Sequence, residues 1–80
     1  MNLKIVAFGI AKDIFSTSKM NFELESGNSI ADLKSKLVNQ YPDLEKLRSL
    51  KFAVNEDYQA DDFQLSENDE VVIIPPVSGG

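Results

Sequence analysis

One stretch of this 80-residue chain carries a helical pattern, and it is bracketed at both ends. Ile30, Leu33, Leu37 and Tyr41 recur at helical spacing with Val38 beside them, while Lys34, Ser35 and Asn39 fall outside the stripe. Ser29, followed three residues on by Asp32, forms a capping box with Asp in place of the usual Glu. Pro42 stops the helix at about Tyr41. A helix with one apolar stripe must bury it against another element. The flanking sequence supplies strands for that purpose. Leu3-Lys4-Ile5-Val6-Ala7-Phe8 is apolar and branched and ends at Gly9. Met20, Phe22 and Leu24 alternate with Asn21, Glu23 and Glu25, the period of a strand with one wet face. Phe52-Ala53-Val54 reads as a short strand, Asn55-Glu56-Asp57 as a turn, and Tyr58 as the start of a brief edge strand. Glu70-Val71-Val72-Ile73-Ile74 is the last strand, ended by Pro75-Pro76 because proline donates no ladder hydrogen bond.

This order predicts an α+β β-grasp, ubiquitin-like, with a mixed sheet of four or five strands on one main helix. The first and last strands are apolar on both faces, which marks them as a central, parallel pair. Residues 1–74 then form the domain and residues 75–80 a flexible C-terminal tail. The segment Lys12 to Ser18 is expected to be turn-like around Ile14 and Phe15. Leu44, Leu47 and Leu50 are expected in a loose helical turn on the core, and Tyr41 and Tyr58 as core or rim aromatics.

Composition removes several function classes. The chain has no cysteine and no histidine, so it lacks thiolate metal sites, a Cys nucleophile and the usual general base. Catalysis by the isolated chain is not expected. A formal charge of −5 with scattered lysines argues against tracking nucleic-acid phosphates. Asp61, Asp62, Glu67, Asp69 and Glu70 lack the spacing of a cation site and read as a solvated face, so no metal is expected. Neither a signal peptide nor an apolar run of the roughly 20 residues a membrane span needs is visible. A cytoplasmic setting fits.

Chemistry is expected at the tail. Six residues from Pro75 to Gly80 reach at most about 20 Å when extended, enough to carry a carboxylate into a narrow site while the domain stays outside. Gly79 and Gly80 have no side chains, so partner walls can close on the backbone. The α-carboxylate of Gly80 is a handle that an enzyme can activate as an acyl adenylate. The bland alternative is an inert terminus.

Asp69-Glu70-Val71-Val72-Ile73-Ile74-Pro75-Pro76-Val77-Ser78-Gly79-Gly80 resembles, without a break, the C-terminal motif of the molybdopterin synthase small subunits, the MoaD-like family of ubiquitin-like sulfur carriers. Ala53-Val54-Asn55 resembles the family's A-V-N, and Phe8 with Lys12 its aromatic followed by Arg. Lys12 is a departure there, because Lys does not reproduce the bidentate fork of Arg. The resemblance implies that Gly80 is adenylated by a ubiquitin-activating-like adenylyltransferase and converted to a thiocarboxylate. The tail Pro75, Pro76, Val77, Ser78 and Gly79 would then thread into the large subunit, which builds the molybdopterin dithiolene. It implies no bound cofactor, ATP used by the activating partner, and a heterotetramer of two small and two large subunits. Carriers for thiamine or another acceptor, and a protein modifier conjugated through Gly80, are the alternatives; thiamine carriers generally lack Pro-Pro in the tail.

The tail alone is not expected to hold a partner. Ordering Val77 to Gly80 costs about 4–8 kcal/mol of backbone entropy, and each new hydrogen bond returns about 0.5–1.5 kcal/mol. The surplus is expected from an apolar sheet face with Phe8, Val6, Val72 and Ile74, and with Lys12 nearby. The alternative is that loops around Phe15, Phe63 and Leu50 cover that face.

Overall fold

The capping box at Ser29 forms, and loop carbonyls complete it. In the computed structural model, which describes residues 1–47 and 50–74, the Asp32 amide donates to Ser29 Oγ at 3.4 Å and the Ser29 amide donates to Asp32 Oδ2 at 2.9 Å. The amides of Ile30 and Ala31 donate to the carbonyls of Phe63 and Asp61 at 3.0 and 2.9 Å. Leu33 N–H then begins the helical ladder on Ser29 O. Every orphan donor of the first turn therefore has a partner, so the acidic loop 60–65 straps the start of the helix.

The elements in chain order are β1 (Asn2–Ala7), α1 (Gly9–Phe15), β2 (Lys19–Glu23), α2 (Ile30–Gln40), a 3-10 turn (Pro42–Lys46), β3 (Lys51–Val54), β4 (Asp57–Gln59) and β5 (Glu70–Ile74). The five strands lie in the order β2-β1-β5-β3-β4. β1 and β5 are neighbours and parallel, and the other three pairings are antiparallel. This is the ubiquitin-like β-grasp.

Alternation along the strands divides the sheet. Leu3, Ile5, Ala7, Phe22, Phe52, Val54, Val71 and Ile73 are buried and meet Ile30, Leu33 and Leu37 from α2. The 3-10 turn adds Leu44, and Leu65 enters from the strapping loop. Phe15 packs edge-on against Tyr41, with ring centroids 4.8 Å apart. Each fully buried aliphatic side chain contributes about 1.5–3 kcal/mol.

One expectation fails. Residues 12–15 belong to α1, not to a turn, and β1 ends at Ala7 one residue short of Phe8. Gly9 takes φ 57°, a left-handed conformation that turns the chain from strand into helix. Ala11 and Phe15 then fall four residues apart on one buried face. Ser16 ends the helix at φ 61°. Seven residues give too little periodicity to stand out in sequence.

Leu33 is fully buried at the centre of the α2 stripe. Leu33→Ala is expected to cost about 2–5 kcal/mol in urea unfolding; a loss below about 0.5 kcal/mol would place it outside the core.

Candidate functional site

The face of the sheet away from α2 follows from the same alternation. Register places Lys19, Val6, Val72, Ala53 and Tyr58 in one row across all five strands. In the next row Ile74 pairs with Lys51, and Phe8, one step beyond the Ala7–Ile73 pair, stands level with them. The Phe8 backbone is extended, with φ −125° and ψ 160°, so its side chain continues the alternation of β1 and points to the outer face. It is 56% exposed, and Ile10, just past Gly9, is 50% exposed. Val6, Val72 and Ile74 are half-buried.

The covering loops of the bland alternative lie elsewhere. Phe15 is buried in the core, and Phe63 and Leu50 pack against that core as well. The structure thus brings Phe8, Val6, Val72 and Ile74 together on one open apolar surface. Lys12 stands apart from those rows, exposed in the last turn of α1. The tail residues Pro75, Pro76, Val77, Ser78, Gly79 and Gly80 lie outside the described residues. Their attachment point does not: Ile74, the end of β5, sits in the same row as Phe8 because β1 and β5 run parallel.

Sequence reasoning missed the exposure of Ile10 and the place of Tyr58 on this surface. Tyr58 is 66% exposed, opposite Ala53 on the outer face. The signal was present: a two-residue turn at Asn55-Glu56, with φ 49° and 79°, fixes the register of β4 and hence which way Tyr58 points. Lys51 Nζ lies 5.9 Å from the centre of its ring, a cation–π contact. On the other flank, a shallow groove of about 360 Å³ passes over Val6 between Lys4 and Lys19.

Two family-like sequence features have a structural role instead. Asn55 Nδ2 donates to Asp69 Oδ1 at 2.9 Å, and Asn55 Oδ1 accepts from the Glu70 amide at 3.1 Å. Asp69 Oδ2 also accepts from the Ser66 amide at 2.8 Å. Asn55 and Asp69 therefore clamp the turn after β3 to the start of β5, at the opposite end of β5 from Ile74. Of the remaining acidic residues, Glu67 accepts from the Asn2 amide at 3.1 Å. Among the described residues no group of three or more carboxylates is placed to hold a metal ion. No helix among them is long and apolar enough to cross a membrane.

Residues 5–80 match the model of the ThiS family. The chain belongs to the ThiS family. A curated relative from Arabidopsis thaliana, the molybdopterin synthase sulfur carrier subunit, is 32% identical over 81 residues, covering 100% of this chain and 84% of that protein. The resemblance read from the tail motif is thereby borne out. Among solved structures, the putative molybdopterin converting factor subunit 1 from Pyrococcus furiosus superposes with a TM-score of 0.88 at 21% identity, over 96% of this chain and 99% of that one. A chain from the protein–protein complex of subunits 1 and 2 of the molybdopterin-converting factor of Helicobacter pylori superposes with a TM-score of 0.70 at 21% identity, over 100% of both chains. At these identities the two superpositions speak to the fold. Within this ThiS-family chain the Asn55 clamp holds the start of β5.

Asn55→Ala removes two side-chain hydrogen bonds and leaves a side chain at positive φ. It is expected to cost about 1–3 kcal/mol in denaturant unfolding. An unchanged midpoint would show that the clamp is idle.

Proposed function

We propose that this chain is the sulfur-carrier subunit of a molybdopterin synthase, with the carboxylate of Gly80 as the working group and residues 75–80 as a tail joined to the domain of residues 1–74. The observation that carries the reading is the unbroken motif from Asp69 to Gly80 in a ThiS-family chain 32% identical, over its whole length, to a protein of that name. The carboxylate attacks the α-phosphorus of ATP in an adenylyltransferase of the ubiquitin-activating kind, releasing pyrophosphate. A sulfur nucleophile then displaces AMP from the acyl adenylate and leaves a thiocarboxylate. The tail delivers this sulfur into the large subunit, where the dithiolene forms. The small chain supplies no catalytic side chain and binds no cofactor; ATP belongs to the activating enzyme. Two small and two large subunits form the complex, in the cytoplasm.

The outer face is the docking surface for both partners. The complex of the two Helicobacter pylori subunits supports a large-subunit partner, since a chain of this fold is assembled there with a second protein. The open surface of Phe8, Val6, Val72 and Ile74 abuts the edge where the tail is attached, so a partner gripping it receives the tail beside the contact. Burying one such side chain contributes about 1.5–3 kcal/mol, which offsets the entropy of ordering the tail.

Two experiments test this reading. Incubation with the adenylyltransferase, ATP and a sulfur donor is expected to exchange one oxygen for sulfur in the intact mass, and removal of Gly80 is expected to abolish the exchange without changing the melting curve. Full sulfur transfer by the truncated chain, or adducts on lysines in place of sulfur, would overturn the assignment. Phe8→Asp is expected to weaken binding to the large subunit and to the adenylyltransferase at least about tenfold by calorimetric titration. Its melting point should stay close to wild type, because Phe8 is outside the core; normal binding would move the docking surface elsewhere.

A further inference from the structure

The chain carries a formal charge of −5, yet the outer sheet face does not share it. Neither the row Lys19–Val6–Val72–Ala53–Tyr58 nor the row of Phe8, Ile74 and Lys51 contains a carboxylate. The nearest acid on the face, Glu70, lies one row away and pairs in register with Lys4. Lys51 and Tyr58 bound the apolar centre on the β3–β4 flank, the ammonium held against the ring. Lys19 bounds it on the β2 flank, beside a groove that Lys4 and Glu70 also line. Among the described residues the only ion pair is Lys46 with Asp43, on the 3-10 turn. The lysines of the outer face are thus free to meet charges brought by a partner.

We propose that this face takes a protein surface with an apolar centre and carboxylates on its rim, which meet Lys19 on one flank and Lys51 with Tyr58 on the other. The inference rests on the docking role proposed above and adds the charge pattern of the partner. Tyrosine is among the residue types that most often carry binding energy at protein interfaces. Rim charges steer encounter and reject wrongly charged partners more than they add affinity. In a chain of net negative charge, a cationic rim also orients the approach of an acidic-rimmed partner. A chain of net charge −5 is repelled by anionic membranes and nucleic acid at long range, so a protein surface is the occupant that fits.

The test is a kinetic titration of the full chain with the cognate large subunit at low and high salt. Lys19→Glu/Lys51→Glu is expected to weaken binding about tenfold at low salt, mainly through the association rate, and to flatten the salt dependence of the wild type. Tyr58→Ala is expected to weaken binding with the salt dependence kept. Lys36→Glu/Lys46→Glu makes the same charge change on exposed residues of α2 and the 3-10 turn, away from the outer face, and is the control. The proposal is overturned if the Lys19/Lys51 variant stays within about twofold of that control at both salts while Phe8→Asp still lowers affinity. It is also overturned if the wild type binds anionic vesicles or DNA as tightly as the large subunit. Normal binding by Phe8→Asp would instead bring down the docking role itself.

Discussion

Val6 and Val72 face one another across the parallel pairing of β1 and β5, and most of the molecule is arranged around that pairing. Two parallel strands cannot be joined by a tight turn. Everything between Ala7 and Glu70 is therefore a connection, long enough to contain two helices and three further strands. Parallel strands also end at the same edge of a sheet. Phe8 and Ile10, just past the end of β1, consequently share an edge with Ile74, where the tail is attached. An antiparallel arrangement of the same two strands would have put the exposed aromatic and the tail at opposite ends.

The alternation of side chains separates the core from the proposed docking face. Odd-numbered residues of β1 and β5 fill the core against α2, while Val6, Val72 and Ile74 stand on the outer face of the same strands. A change at Leu33 or Ile73 acts on the core, and a change at Phe8 acts on the outer face. Small domains have little stability to spare, so the docking surface proposed above, lying outside the core, costs the fold little. Asn55 and Asp69 serve the fold from the far end of β5 by holding its start in register, which keeps the two faces from exchanging.

The legible parts of the sequence were those where the physical signal is local. Ser29 and Asp32 lie three residues apart and cap each other's backbone. Ile30, Leu33 and Leu37 repeat with the helix, and Pro42 ends it. The parallel central pair showed in strands apolar on both faces. The helix α1 did not show, because seven residues provide only two buried positions, Ala11 and Phe15, and the glycine that starts it looks like a turn. Tyr58 was half legible: its strand was expected, but its outward orientation depends on the register set by the Asn55-Glu56 turn.

By itself the sequence determined the order of the strands around α2 and the apolar stripe of α2, because composition and periodicity are properties of the chain. Tertiary structure alone decided that the described loops leave the apolar residues of the outer face uncovered, that Tyr58 and Lys51 join one flank of that face and Lys19 the other, and that Phe8 stands level with Ile74. Those outcomes depend on which strands pair and in which register. Register is settled by contacts between residues as far apart as Val6 and Val72; strand composition marks the pair without aligning it.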